Sequence, residues 1–261
     1  MITYSLLDKY NEIAHFCTTR YGGASVGNYA SFNMSPFSGD NWVNLDKNHQ
    51  ILCLKQGIDP SKLIIPFQTH GTEIRIIDEA FFRLSTSEKT QYLHGVDALI
   101  TQLPKVCIGV CTADCVPLIF FDTRKKIVAA AHAGWRGTCG RIAEKTVLTM
   151  TNELGCNAAD ILVSIGPSIS AEVYEVGKEV LENFENAGFD TDKIFAERNG
   201  SVHLDLWKTN RQSLLKAGIL PEHIEVAGIC TYTDHERFFS ARRLGIKSGR
   251  MLSGVILAPN P

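Results

Sequence analysis

VCIGVCTADCVPLIFFDTRKKIVAAAH, running from Val106 to His132, is the stretch from which the fold can be read. Val106–Val110, Leu118–Phe121 and Ile127–Ala131 are continuous apolar runs of strand length, the pattern of strands buried on both faces. The first two flank the turn Cys111-Thr112-Ala113-Asp114-Cys115, and the third runs directly into His132. Reactive side chains therefore gather at strand ends. Beyond Trp135-Arg136-Gly137, the spacing of Ile142, Ala143, Val147, Met150 and Leu154 predicts an amphipathic helix closed by Gly155. Ile161–Ile165 reads as a strand stopped by Gly166-Pro167, Val176–Phe184 as a helix, and Glu225–Cys230 as another central strand. Asp205 caps an expected helix over Leu206–Ala217. Short runs such as Ile74–Ile77 and the turn Arg20-Tyr21-Gly22-Gly23-Ala24-Ser25 suggest a β-rich first third. The expected class is α+β, with mixed β-sheets flanked by helices, and a single domain over residues 1–261 because no linker-like stretch interrupts the chain.

With 261 residues, 44% hydrophobic and 21% charged, the chain can bury a sizeable core. A net charge of −2 supplies no basic field for nucleic acid or an anionic membrane, so a small molecule is the expected partner. Met1–Tyr10 lacks a basic segment followed by an apolar one, and no stretch is long and apolar enough to span a bilayer. A cytoplasmic protein is the expectation. Its eight cysteines are scattered, so reduced thiols are expected, with Cys17, Cys53, Cys139 and Cys156 as small core residues.

His70, Cys115 and His132 make the candidate centre. Two imidazoles and a thiolate suit Zn²⁺ or copper, and three protein ligands leave a coordination position for water or substrate. A lone His at the end of an apolar strand is more often a hydrogen-bonded structural residue, but the flanks of His132 argue for function. Gly134 and Gly137 permit close backbone approach, Trp135 offers a flat apolar face, and Arg136 offers an anion-binding fork. The plain alternative is a tight turn with Trp135 packed in the core. Cys115 sits between Asp114 and Pro117, where the strand is broken and a thiolate could ligate a metal or attack a substrate. Cys107 reads as core, while Cys111 and Cys230 stay open. His70, in Gln68-Thr69-His70-Gly71, has the least internal support. Arg242-Arg243 is a second anion-binding candidate beside the plain reading of a solvated basic turn. Gly109-Val110-Cys111-Thr112 recurs as Gly228-Ile229-Cys230-Thr231, a hint of two strand ends facing one cleft.

These motifs together resemble the YfiH family of laccase-domain proteins, also labelled polyphenol oxidases and associated with purine nucleoside metabolism. The resemblance rests on Thr19–Ser25, Gln68–Gly71, Asp97–Thr101, Thr112–Pro117, His132–Thr138, Ile165–Ile169 and Phe238–Arg243, in that order along nearly the whole chain. It implies that His70, Cys115 and His132 are the metal-binding and catalytic triplet, in a four-layer α/β/β/α sandwich similar to the catalytic domain of a cytotoxic necrotising toxin. The family pattern often places His before the first Arg-Gly-Gly motif and Tyr before the double arginine. Thr19 and Ala241 stand there in this chain, which puts substrate preference rather than the triplet in question.

The resemblance implies a purine nucleoside phosphorylase acting on adenosine, inosine and methylthioadenosine, with adenosine deaminase activity beside it. Phosphorolysis needs a phosphate site, a face for the purine and stabilisation of a cationic ribose. Arg136, Arg242 and Arg243 are the expected phosphate contacts, Trp135 or a nearby aromatic the expected support for the base, and Asp114 the expected proton shuttle. Deamination needs an activated water, which a zinc with three protein ligands can supply. The expected partners are nucleoside and phosphate, and the expected state is a monomer or homodimer. The runner-up is a copper-dependent polyphenol oxidase at the same centre. Multicopper architecture is excluded within one chain by counting, because eight histidines with no His-x-His or His-Cys pair cannot build a blue-copper centre and a trinuclear cluster. A Cys-His hydrolase or deamidase, with Cys115 as nucleophile and His132 as base, is a further alternative. A closed zinc-stabilised interaction module normally needs four ligands and often Cys-x-x-Cys, which is absent.

Overall fold

Ala129, Ala130 and Ala131 fill the middle of a strand buried on both faces, and their small side chains let a helix layer and a second sheet close on it from opposite sides. The computed structural model describes residues 1–259. Its first strands are β1 (Ile13–Cys17), β2 (Leu63–Ile64), β3 (Glu73–Ile77) and β4 (Val96–Thr101). Next come β5 (Cys107–Thr112), β6 (Val116–Asp122), β7 (Ile127–Ala133) and β8 (Ile161–Ile165). The remainder are β9 (Glu175–Val176), β10 (Phe195–Arg198), β11 (Ser201–Leu204), β12 (Ile224–Val226) and β13 (Met251–Leu257).

Six strands form a mixed sheet in the order β12-β8-β6-β7-β4-β3, parallel at its two outer pairs and antiparallel between. Four more form a second sheet, β1-β13-β5-β2. The period of two within each strand sorts side chains into layers. From β6 and β7, Leu118, Phe120, Ala129 and Ala131 face Ile142, Val147 and Met150 of the helix Ile142–Leu154 and Leu206 and Leu214 of the helix Leu206–Lys216. Their neighbours Ile119, Phe121, Val128 and Ala130 face the second sheet through Ile108, Val110 and Val255. The far side of that sheet, with Phe16, Cys107, Leu252 and Ile256, is covered by Leu52 and Cys53 of the helix Trp42–Gln56. Helix, sheet, sheet, helix is the α/β/β/α order that the family resemblance implies.

The central strands and the helix Ile142–Leu154 lie where the apolar pattern puts them, with Gly155 in the left-handed region at φ 66°. Three expectations need correction. The first third is not chiefly strand, because it holds the helices Trp42–Gln56, Glu79–Arg83 and Thr86–Leu93. The first of these buries only Leu45, Asn48, Leu52 and Cys53 while Trp42 and Leu54 are exposed, so its amphipathic signature is weak. Val176 belongs to a strand rather than a helix. It pairs with Val202 in a small sheet of β9, β10 and β11, and the helix begins only after Gly177, at Lys178–Asn186. Glu225–Cys230 is not a central strand: β12 covers only Ile224–Val226, at the sheet edge, where the Glu225 carboxylate accepts from the amides of Ser5 and Leu6.

Ala130 sits opposite Leu99 and Ile119 with no solvent exposure. Ala130→Leu is therefore expected to overpack the inter-sheet layer and cost about 1–3 kcal/mol. A urea titration would show this as a lowered midpoint at unchanged slope, and an unchanged midpoint would mean that the sheets have slack there.

Candidate active site

The antiparallel register assembles the centre at one end of the six-stranded sheet. Pro117 lies opposite His132 and Ala98 opposite Ala131, so Cys115, just ahead of β6, and Asp97, at the start of β4, flank the end of β7. His70 arrives from the loop after β2. That loop is fixed on two sides. Gln68 takes the Cys111 amide on Oε1 at 2.7 Å and donates from Nε2 to the Cys111 carbonyl at 2.9 Å, which ties the loop to β5. Asp97 accepts from the amides of Thr69 (3.3 Å), His70 (3.0 Å) and Gly71 (2.7 Å), which ties it to β4. His70 has φ 63°, a left-handed conformation unfavourable for a residue with a side chain, and these bonds offset it.

Asp97 also binds His132, with Oδ1 2.7 Å from Nδ1. One fully buried carboxylate thus orients the His132 ring and fixes the backbone that carries His70. With Nδ1 engaged, Nε2 of His132 is the nitrogen left to meet a ligand. The ligand atoms of His70, Cys115 and His132 lie within 4.8 Å of one another, and no other such triplet occurs among the described residues. On a tetrahedral zinc they would stand roughly 3.3–3.6 Å apart, so the borderline-soft N, N, S donor set needs only a modest contraction. Gly134 makes the room: a Cβ there would lie 3.0 Å from the His70 ring and 3.1 Å from Cys115 Sγ.

Electrostatics follow from this packing. Burial would push the Cys115 thiol up, but the charge and hydrogen bond of His132, with His70 behind it, outweigh burial and draw it down to about 6. Burial would push His132 down, but the facing thiolate and Asp97 raise it to about 9. Burial opposes ionisation of Asp97 as well, yet His132 and the loop amides hold it below its ordinary range. The three groups form a line of carboxylate, imidazolium and thiolate.

A cavity of about 480 Å³, of a size that holds small ligands, opens onto the cluster. His70, Cys115, His132, Asp114 and Arg242 line it, and so does Cys111, whose thiol is pushed by burial to about 12. Asp114, at φ 83°, has both oxygens engaged: Oδ1 accepts from the Thr231 hydroxyl and Oδ2 from the Arg242 amide, each at 2.7 Å. The guanidinium of Arg242 donates to the Glu175 carbonyl at 3.0 Å. Trp135, Arg136 and Arg243 are not on the cavity wall. Trp135 packs against the helix-side core with Arg136 above its ring at 4.2 Å, and Arg243 lies 5.3 Å from the Tyr232 ring. Cys230 accepts from the Ser170 amide outside the triplet.

The sequence assigns no site role to Asp97 and Gln68, though each opens a quoted motif, nor to Phe37, Tyr174 and Arg250, and all of these but Asp97 line the cavity. Asp97 could have been found as a carboxylate inside an otherwise apolar strand. The other four carry no such signal.

A family model described as multi-copper polyphenol oxidoreductase laccase matches residues 14–258. A purine nucleoside phosphorylase of Bacteroides thetaiotaomicron is 47% identical over 259 residues, 98% of this chain and 96% of that one. An adenosine deaminase, RL5, of an unknown prokaryotic organism is 40% identical over 242 residues, 92% of each chain. The crystal structure of hypothetical protein YfiH of Bacillus licheniformis superposes with a TM-score of 0.89 at 33% identity, over 96% of this chain and 94% of that one.

Thiolate, not thiol, reacts with iodoacetamide, so the alkylation rate rises with pH through the thiol's pKa. In chelator-treated protein the labelling of Cys115, followed by peptide mass, is expected to have its midpoint near pH 6, against about 8.5 for an ordinary thiol. Asp97→Asn removes a charge that keeps His132 protonated and should move that midpoint upward. A wild-type midpoint above pH 8 would show that Cys115 and His132 are not an ion pair.

Proposed function

The chain belongs to the multi-copper polyphenol oxidoreductase laccase family and is an enzyme, and we propose that it is a zinc-dependent purine nucleoside phosphorylase. Its substrates are adenosine, inosine and S-methyl-5′-thioadenosine, which it converts with phosphate to free base and the sugar 1-phosphate, and it deaminates adenosine as a second activity. The observation that carries this reading is the His70, Cys115 and His132 cluster opening into a cavity whose wall also bears cationic side chains. The names of the similar phosphorylase and deaminase point the same way. The two sheets share one apolar layer, which supports a single catalytic domain.

Of Arg136, Arg242 and Arg243, Arg242 is the one on the cavity wall, and Arg250 joins it there. Arg242 keeps guanidinium N–H groups beyond those given to Glu175, so it can fork an anion. Arg250 spends its terminal nitrogens on the carbonyls of Ile246, Ser248 and Gly249 and contributes a fixed positive field. Asp114, with both oxygens engaged, braces Arg242 and Thr231 rather than shuttling protons. His132, held by Asp97 at Nδ1, is oriented to present Nε2 to the metal. His70, Cys115 and His132 would hold zinc, which when bound would supply a Lewis acid, the chemistry that deamination at the purine C6 calls for. Copper at the same three residues, with phenol oxidation, is the runner-up.

A second reading is favoured by one specific observation, the alignment of Asp97, His132 and Cys115. It is the arrangement of a cysteine hydrolase, with thiolate as nucleophile and imidazolium as acid. Zinc-dependent and thiol-dependent chemistry separate cleanly under a chelator.

Zinc-loaded protein incubated with adenosine and phosphate is expected to release adenine and ribose 1-phosphate, resolved by chromatography. Without phosphate it should form only inosine. Both activities should vanish in Cys115→Ala and under a chelator, and zinc should restore the chelated sample. Turnover that survives the chelator but not alkylation favours the hydrolase, and no nucleoside turnover in any arm overturns the phosphorylase reading. Loss of the carboxylate behind a metal-bound His typically costs about 10–100-fold in affinity, so Asp97→Asn should weaken zinc binding by that order in a competition titration.

A further inference from the structure

Phe37 is half exposed, yet it is not a loose surface side chain. Its ring lines the cavity that holds the His70, Cys115 and His132 cluster, and it meets the Phe67 ring at 90° with centroids 4.7 Å apart. Phe67 is in turn stacked on His94 at 4.8 Å, and its own amide and carbonyl are bonded to Leu93 and Gly95. The mount is rigid from the other side as well. Within the turn, the Phe37 amide donates to Ser35 Oγ and the Ser38 hydroxyl to the Ser35 carbonyl. Tyr29 donates its hydroxyl to the Ser38 carbonyl. Asn33, with no solvent exposure, donates to Ser38 and accepts the amide of Arg250, which joins the turn to another wall residue of the same cavity. A single exposed apolar ring needs no explanation by itself, but a ring packed edge-to-face on Phe67 and carried over a cavity by a bonded turn is built to meet something flat.

We propose that Phe37 is the platform on which the substrate's base stacks, the place that Trp135 leaves unfilled by packing into the core. This rests on the purine nucleoside reading and adds the residue that supports the base. A phenyl face offers no hydrogen bond, so it holds a flat heterocycle without reading its edge, and adenine and hypoxanthine rings are accepted alike. On the wall of the same cavity, Arg242 and the cluster supply the charged surface for the sugar and phosphate. Arg242 lies 5.2 Å from the Tyr174 ring, so that aromatic face is already covered by a cation and Phe37 is the open one.

Inosine, which without phosphate is neither deaminated nor cleaved, is the probe for binding to the zinc-loaded protein by equilibrium dialysis, and KM values for adenosine and for phosphate are taken from steady-state kinetics. The comparison is between wild type, Phe37→Ala and Phe37→Tyr, each checked for an unchanged melting temperature. Base–aromatic stacking of about 1–3 kcal/mol corresponds to a roughly 5- to 150-fold weakening of inosine binding in Phe37→Ala. The KM for adenosine is expected to rise in parallel, the KM for phosphate to move little, and Phe37→Tyr to keep near wild-type affinity. Equal affinity of Phe37→Ala and wild type overturns the platform while leaving the phosphorylase reading intact. Binding that weakens in Phe37→Ala, in a protein that never turns adenosine over, overturns the phosphorylase reading and leaves the platform standing. A wild type that binds no inosine overturns both.

Discussion

The centre depends on a single buried carboxylate. Asp97 sits on a β-strand with no solvent exposure, where an unpartnered charge would be costly, and it is retained because four donors converge on it. Three of those donors are backbone amides of the loop that carries His70, and the fourth is the His132 ring. The same group therefore neutralises its own burial, holds a left-handed residue in place and selects the imidazole nitrogen that faces Cys115. The low pKa of the thiol is a downstream effect, since the imidazolium that lowers it is itself supported by Asp97.

Much of this was legible in the chain because the central strands announce themselves. Runs such as Leu118–Phe121 and Ile127–Ala131 are apolar on both faces, and only strands between two layers need that. Cys115 and His132 followed from them as strand-end residues. What the pattern could not convey was pairing. That Pro117 lies opposite His132 is a property of register, and without it neither the convergence with Asp97 nor the distance to His70 could be inferred. The helix Trp42–Gln56 was hidden for another reason. It covers a sheet with four buried residues, one of them Asn48, whose amide bonds to the backbone of the turn preceding it, so its apolar face is too narrow to read.

The cavity wall illustrates a further limit. Arg242 and Arg243 are adjacent and chemically equal, yet one faces the cluster and the other lies against Tyr232, because the short helix Ala241–Leu244 turns successive residues to different sides. Trp135 looked like a surface for a base because it stands beside His132, but the helix it begins directs the indole toward the core. Adjacency along the chain is a poor guide wherever a strand passes into a helix. The residues that replace these in the cavity come from loops distant in sequence, Phe37 from one and Arg250 from another.

The loop bearing His70 is bonded to β5 of one sheet through Gln68 and to β4 of the other through Asp97. The two sheets otherwise meet through apolar side chains, which resist separation better than sliding. The loop is thus a strap across their seam, and an ion or ligand gripped by His70, Cys115 and His132 would tighten it. Occupancy of the centre and mechanical stiffness of the sandwich are then one coupled property: the seam would slip and the pocket would lose its shape together.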